Sequence, residues 1–354
     1  MRVLYFGTYE RRYPRNAQVI SCLRRTGVDV TERHEPVWEG REEKWSAGAA
    51  TFARLALAEA RLFARRGSAA DAVIVGYPGH LDLPAARRAA RGGPVVFNPL
   101  VSLADTLVGD RGRFGARSLP ARLLRAVDRR ALRAADLVVA DTETHADFLA
   151  DLAGLTRDRV AVCLVGAEER VFRAGWSPPD QFTALFVGKL IPLHGLATIL
   201  AAARLAPELR FRIIGSGQLG HLLAGRPDNV IWIPWVEYEE LAAEFHTASC
   251  ALGIFGTSDK AQRVIPNKAY QALACGAPLV TADTPAAREL LADGETAVLV
   301  PPGDAEALAA ALRMLAAAPE RARQIADAGG SVYREHASEE ALGRRWRSLL
   351  EALV

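Results

Sequence analysis

Lysine is the residue to follow in this chain. Lysine and arginine together number 44, yet only Lys44, Lys189, Lys260 and Lys268 are lysines. The preference for arginine reads as a base-composition bias. Lys189, Lys260 and Lys268 stand in glycine-flanked loops of the second half. A compact ammonium suits a point contact to a phosphate oxygen. Around Lys268 the sequence runs CALGIFGTSDKAQRVIPNKAYQALACGAPLVTAD. CALGIFG reads as a buried strand ending in glycine. A polar loop carries Lys260 and Arg263. NKAYQALACG reads as a short helix, with Asn267 near its start and Gly276 just past its end. Cations gathered where a strand ends and a helix begins can hold an anion such as a diphosphate.

Comparable turns occur twice more. LFVGKLIPLHGLATIL places Gly188 where backbone can approach a ligand. Lys189 and His194 can meet phosphate oxygens there, and Gly195 opens a helix. RFRIIGSGQ ends a strand on Gly215, Ser216 and Gly217. One Gly-x-Gly is a weak signal; three such turns with cations point to nucleotide binding. No Asp-x-Asp triplet, Walker lysine motif or His-Glu-x-x-His occurs, so no metal is expected. No Gly-x-Ser-x-Gly elbow supports a serine hydrolase.

The first half offers two candidate loops. GTYERRYPRN pairs glycine with Arg11, Arg12, Arg15 and Asn16, and also reads as a solvated basic loop. FNPLVSLADTLVGDRGR sets Asn98, Ser102, Asp105, Thr106, Asp110 and Arg111 after a strand, where catalytic groups gather. Asp105 is the functional candidate; a helix cap is its plainer role. Eight arginines between Arg111 and Arg133 lie among apolar residues. Such a stretch can rest on anionic lipid or form a solvated helix face.

The elements that must position these residues alternate throughout. Six strand patterns precede residue 173 and six follow it, separated by helical patterns, which implies two parallel sheets covered on both faces. RAGWSPPDQ, residues 173–181, breaks both periodicities and reads as a linker. The expected organisation is an α/β protein of two Rossmann-like domains, 1–172 and 182–335. A final helix over 336–354 has an apolar face of Ala341, Leu342, Trp346, Leu349, Leu350 and Val354.

Composition agrees with a soluble two-domain protein. Cys22, Cys163, Cys250 and Cys275 sit in apolar contexts without a C-x-x-C pair, which suggests buried thiols in a reducing cytoplasm. MRVLYFG runs straight into a strand, so no signal peptide is expected, and no apolar run is long enough to span a bilayer. Residues 1–175 carry 28 basic and 21 acidic residues, net +7; residues 176–354 carry 16 and 20, net −4. The first half is therefore the more basic partner surface.

The segments FVGKLIPLHG, IIGSGQ, NVIWIPWVEYEEL and IPNKAYQALACGAPLV, with RELLADGETAVLVPPGD, resemble the family 4 (group 1) glycosyltransferases of the GT-B fold. The resemblance extends over essentially the whole chain. It implies that the second domain holds a nucleotide sugar, that the first holds the acceptor across a cleft, and that the final helix crosses back to the first domain. By motif, Gly188, Lys189, His194 and Gly195 match the diphosphate loop, His194 standing where a lysine is usual. Gly215, Ser216 and Gly217 match the nucleotide turn, and Trp235 and Val236 match the segment meeting the base. Gln271 stands where the last glutamate of a Glu-x7-Glu motif binds ribose, and Arg263 stands at the first. Arg263 cannot accept a hydrogen bond, so backbone from Arg263 through Ile265 and Pro266 to Asn267, with Lys268, is expected to meet the donor.

The family's histidine after the fourth strand is absent, and Asn98 stands near that place. Gly7, Thr8, Arg15, Asn16, Asn98, Ser102 and Asp105 are the expected acceptor residues. Asp105, Lys189 and Lys268 are the expected catalytic ones. The resemblance implies retaining transfer to a hydroxyl, without cofactor. The donor base, uridine or guanosine, stays open, as does the acceptor, which can be lipid-linked, anionic, a polysaccharide or a small metabolite. Nucleic acid is not an expected partner. The expected location is cytoplasmic, with peripheral contact on the inner membrane face as one option. A nucleotide-sugar-binding protein without catalysis and a GT-B epimerase are the alternatives.

Overall fold

The computed structural model describes residues 1–11, 13–39, 49–65 and 67–354. Arg12 and Lys44 lie outside the described residues. The chain divides into two compact units, Met1–Val165 with Glu339–Val354, and Gly166–Ser338.

In the first unit the strands are β1 (Arg2–Gly7), β2 (Asp29–His34), β3 (Ala72–Val75), β4 (Val95–Phe97), β5 (Leu137–Ala140) and β6 (Val160–Val162). The helices are α1 (Pro14–Arg25), α2 (Ala49–Ala64), α3 (Leu83–Ala90), α4 (Leu119–Ala134) and α5 (Glu143–Ala153). The parallel sheet has the order β2-β1-β3-β4-β5-β6. Successive β1 residues face opposite ways. Leu4 and Phe6 join a core with α2, α3, α4 and α5 residues, while Val3 and Tyr5 join a second core with α1. Both faces are thus covered, as the nearly continuous apolar strands require.

In the second unit the strands are β7 (Thr183–Val187), β8 (Arg210–Ile214), β9 (Val230–Ile233), β10 (Cys250–Leu252), β11 (Leu279–Ala282) and β12 (Val298–Val300). The helices are α6 (Leu196–Leu205), α7 (Leu241–His246), α8 (Asn267–Cys275), α9 (Pro285–Arg288), α10 (Ala305–Ala317) and α11 (Pro319–Val332). The order β12-β11-β10-β7-β8-β9 runs outward from β7 to β9 and returns beside β7 with β10. The topological switch point, where parallel sheets open a crevice at their strand ends, therefore lies between β7 and β10.

Two expectations need correction. The stretch 173–181 lies inside the second unit, whose first residue is Gly166. Phe172 is buried there and packs edge-on to Tyr238 and Phe245. The Trp176 indole donates to the Ala248 carbonyl at 2.7 Å. The prolines mark an extended segment anchored by its aromatics. Helix α11 carries Gly329 and Gly330 near its end. These glycines let it pack closely: a Cβ on Gly329 would lie 2.6 Å from the Thr296 carbonyl oxygen and 2.8 Å from the Leu273 side chain. Helix α9 stops at Arg288.

The second concerns the final helix, α12 (Glu339–Glu351). Its Leu342, Trp346 and Leu350 are buried against α1 in the first unit, but Val354 is exposed. A Cβ on Gly343 would come within 2.5 Å of the Cys22 carbonyl oxygen, so glycine sets how closely α12 seats. All four cysteines are buried thiols. Among the described residues no helix is long and apolar enough to cross a membrane.

Candidate functional site

The glycine turns of the second unit lie backbone against backbone at its switch point. Gly188 follows β7 with φ 147°, and Gly215 follows β8 with φ 139°. A Cβ on Gly215 would sit 2.0 Å from the Gly188 carbonyl oxygen. Gly217 has φ 151°, and a Cβ there would meet Leu190 backbone at 2.9 Å. Gly195, at φ 69°, lies against Phe255 and Gly256 backbone after β10. Hydrogen bonds tie the turns together. Leu190 N donates to Ser216 O at 2.9 Å, and Phe255 N donates to His194 O at 3.2 Å. The Trp232 indole, on β9, donates to Gly215 O at 2.9 Å. Side chains are excluded from this junction because three pieces of main chain already fill it.

Lys268 reaches the junction from the first turn of α8. A Cβ on Gly188 would lie 3.1 Å from its Nζ and 3.3 Å from His194 Cε1, so the ammonium and the imidazole border one turn. Lys268 is only 5 % exposed. Its Nζ has no hydrogen-bond partner among the described residues; it rests 4.2 Å from the centre of the Phe186 ring. Burial holds the amine well below the ordinary lysine value. An unpaired buried nitrogen is costly, so its retention points to a ligand.

The other expected donor residues fall into two groups. His194 Nδ1 pairs with the Lys189 carbonyl, and its ring stands edge-on to Phe186. Gln271 and Ile265 are buried, and Arg263, Pro266 and Asn267 are half-buried beside α8. Pro266, not Asn267, occupies the cap position of α8, and no side chain caps it. Lys189 and Ser216 are exposed. Trp235 is 69 % exposed, its indole donating to Glu237 at 3.1 Å, and Val236 is half-buried. Lys260 is buried.

In the first unit the switch point lies between β1 and β3. There Asp82 accepts from Thr8 N at 2.6 Å and from Thr8 Oγ1 at 3.0 Å. A Cβ on Gly7 would strike Asp82 Oδ2 at 1.9 Å. Burial, and then a side-chain hydrogen bond to Asp82 and the charge of that carboxylate, push the Glu59 carboxyl well above the usual carboxylate range. Glu59 also lines a depression of about 430 Å³ with Phe63, Leu81 and Pro84.

Arg15 and Asn16, expected to face an acceptor, are instead internal braces. Arg15 is buried and donates to Asn98 Oδ1 at 3.0 Å, Leu164 O at 2.7 Å and Cys163 O at 3.1 Å. Asn16 joins Tyr5, Glu10 and Tyr77. Ser102 donates to Asp128 Oδ2 at 2.7 Å, and that carboxylate also accepts from Leu103 N and Ala104 N and lies 3.3 Å from His80. Asp105, half-buried, opens a single π-helical turn, Asp105–Asp110, immediately after this clamp. Sequence reasoning missed Asp82, Glu59, His80 and Asp128. No local motif marks them, since their partners lie tens of residues away.

The two parallel units define a GT-B fold. The structure aligns over 99 % of its length with 98 % of sucrose-phosphate synthase from Thermosynechococcus elongatus, with TM-score 0.76 and 16 % identity. It aligns over its full length with HepE from Anabaena, solved in complex with UDP-glucose, with TM-score 0.71 and 15 % identity. Residues 181–318 match the family model described as glycosyl transferases group 1. D-inositol 3-phosphate glycosyltransferase from Acidothermus cellulolyticus is 32 % identical over 231 residues, 57 % of this chain and 50 % of the relative. Alpha-maltose-1-phosphate synthase from Mycolicibacterium smegmatis is 28 % identical over 254 residues, 60 % of this chain and 61 % of the relative. The chain spans about half the length of the first of these relatives.

Proposed function

We propose that this protein transfers a glycosyl group from a nucleoside diphosphate sugar to a hydroxyl acceptor, with retention of configuration and without a metal or other cofactor. The observation that carries the reading is the unpaired Lys268 amine beneath the Gly188 turn. A departing diphosphate must have its charge stabilised as the anomeric C–O bond breaks. Lys268, His194 and the exposed Lys189 supply donors for that charge, and the side-chain-free glycine junction lets phosphate approach main-chain N–H groups. Buried Gln271 takes the ribose, and Trp235 and Val236 border the base. Asp105 is the proposed group for the acceptor hydroxyl in the first unit. The HepE complex with UDP-glucose favours uridine as the base.

Thermal shift against UDP, GDP, ADP and CDP tests the donor site. The preferred nucleotide at about 100 times its Kd should stabilise the protein by roughly 2.7 kcal/mol. Donor turnover should then persist in excess chelator. No shift with any nucleotide would overturn the reading; loss of turnover in chelator, restored by magnesium, would overturn its metal-free part.

The first unit is the proposed acceptor side, with an anionic, lipid-linked acceptor at a membrane surface. On α4, Leu119 is 76 % and Leu123 64 % exposed, beside exposed Arg117, Arg122 and Arg130. Arg129 and Arg133 are spent on the last carbonyls of α5. Each basic residue near an anionic surface contributes about 1 kcal/mol, screened by salt. Co-sedimentation should therefore be stronger with anionic than neutral vesicles and weaken with salt. Equal, negligible binding to both would favour a soluble acceptor.

A further inference from the structure

Among the described residues Lys268 Nζ has no hydrogen-bond partner. Burial lowers its proton affinity. The elements packed against α8 explain why. From α7, Glu244 is held by Arg212 at 2.6 Å, and His246 Nε2 meets the Arg173 carbonyl at 2.7 Å. β10 brings only Cys250 and β11 no ionisable group. α11 meets α8 through Gly329, and the turn after α11 brings Tyr333, whose hydroxyl lies 3.4 Å from Ala167 O, with Arg334 and the exposed pair Glu335 and His336, 3.6 Å apart. The loops flanking Nζ carry Lys189, His194 and, before α8, Lys260, Arg263 and the exposed Asp259. Among the described residues no carboxylate lies within hydrogen-bond distance of the amine.

An arriving diphosphate changes this balance, because an adjacent anion favours the charged form. We propose that binding of the nucleoside diphosphate at this site is coupled to uptake of one proton by Lys268 Nζ. The inference rests on the donor reading above. A neutral amine and one proton from solvent give the ammonium, and no other bond changes. The sign follows from linkage. Above the free-state pKa the empty site holds a neutral amine and the filled site an ammonium. Each unit of rising pH then weakens binding about tenfold, until the bound ammonium itself titrates.

Calorimetric titration of UDP, or GDP if the panel selects it, into the full chain at pH 8 and pH 9 tests this. The range lies above ordinary imidazoles, about 6.5, and the second ionisation of phosphate, about 6. Repeating each titration in buffers of different ionisation enthalpy counts protons directly. The expected result is net proton uptake on binding and a Kd that rises from the lower to the higher pH. Lys268→Arg, whose guanidinium stays charged, should bind with neither effect. Nucleotide binding with no uptake and a constant Kd would overturn the inference and leave the donor reading intact. Uptake persisting in Lys268→Arg would also overturn it. Absence of binding to the unaltered protein would overturn both. Should the arginine variant not fold, the unaltered protein's titration decides alone.

Discussion

Lys268→Met should make the protein more stable and nearly inactive. In the empty site the amine has no hydrogen-bond partner and rests on Phe186. Methionine fills similar volume without a polar atom to desolvate. Replacing a buried polar group by a matched apolar one is often stabilising, here by about 1 kcal/mol, or roughly 2–4 °C for a unit of this size. Glycosyl transfer should fall by about 10²–10³-fold, the loss seen when one preorganised donor to a developing anion is removed. Melting curves and single-turnover donor cleavage on the same preparation would show both. A variant that melts lower yet keeps its turnover would mean that Lys268 is a structural residue.

The second large effect is expected at Gly215. Gly215→Val would place a branched side chain 2.0 Å from the Gly188 carbonyl oxygen, at φ 139° where L-residues are rare. Neither neighbour can yield easily. Gly188 N is bonded to Ile214 O and Gly215 N to Ile233 O, both at 2.9 Å. Backbone strain alone costs about 1–3 kcal/mol, and forced separation of two strand ends should bring the total to about 3–5 kcal/mol, with nucleotide binding lost. Gly225→Ala is the control, since nothing lies within 4 Å of a Cβ there; it should stay within about 0.5 kcal/mol. Urea unfolding separates the two. Equal midpoints for both variants would show that the junction adapts.

The contrast between Lys268 and Asp82 shows what the sequence could carry. Lys268 announces itself locally, between a glycine-ended strand and a helix closed by Gly276, and its burial under Gly188 follows from where parallel strands end. The alternation of apolar strands with helices likewise makes both sheets legible. Asp82 sits in GHLDLP, which reads as an ordinary turn, and its importance depends on Thr8 and Glu59 arriving from other elements. Asp128 has the same difficulty: it reads as one acidic residue on a basic helix, while its carboxylate clamps the turn before Asp105. Arg15 misled for the opposite reason. An arginine in a polar loop reads as solvent-facing, but carbonyls near β6 and Asn98 draw it inside. Local patterns report period and punctuation; they do not report which distant polar groups will satisfy one another.

The seating of α12 on α1 has a consequence for the order in which the chain acquires structure. Residues of α1 leave the ribosome early, but the helix that covers Val19, Cys22 and Leu23 is encoded after residue 338. At about 5–20 residues per second, that surface waits on the order of half a minute for its cover. All of Gly166–Ser338 emerges in the interval. The Gly166–Ser338 unit can thus mature as an uninterrupted segment, while the unit that holds α1 and α12 is completed after it.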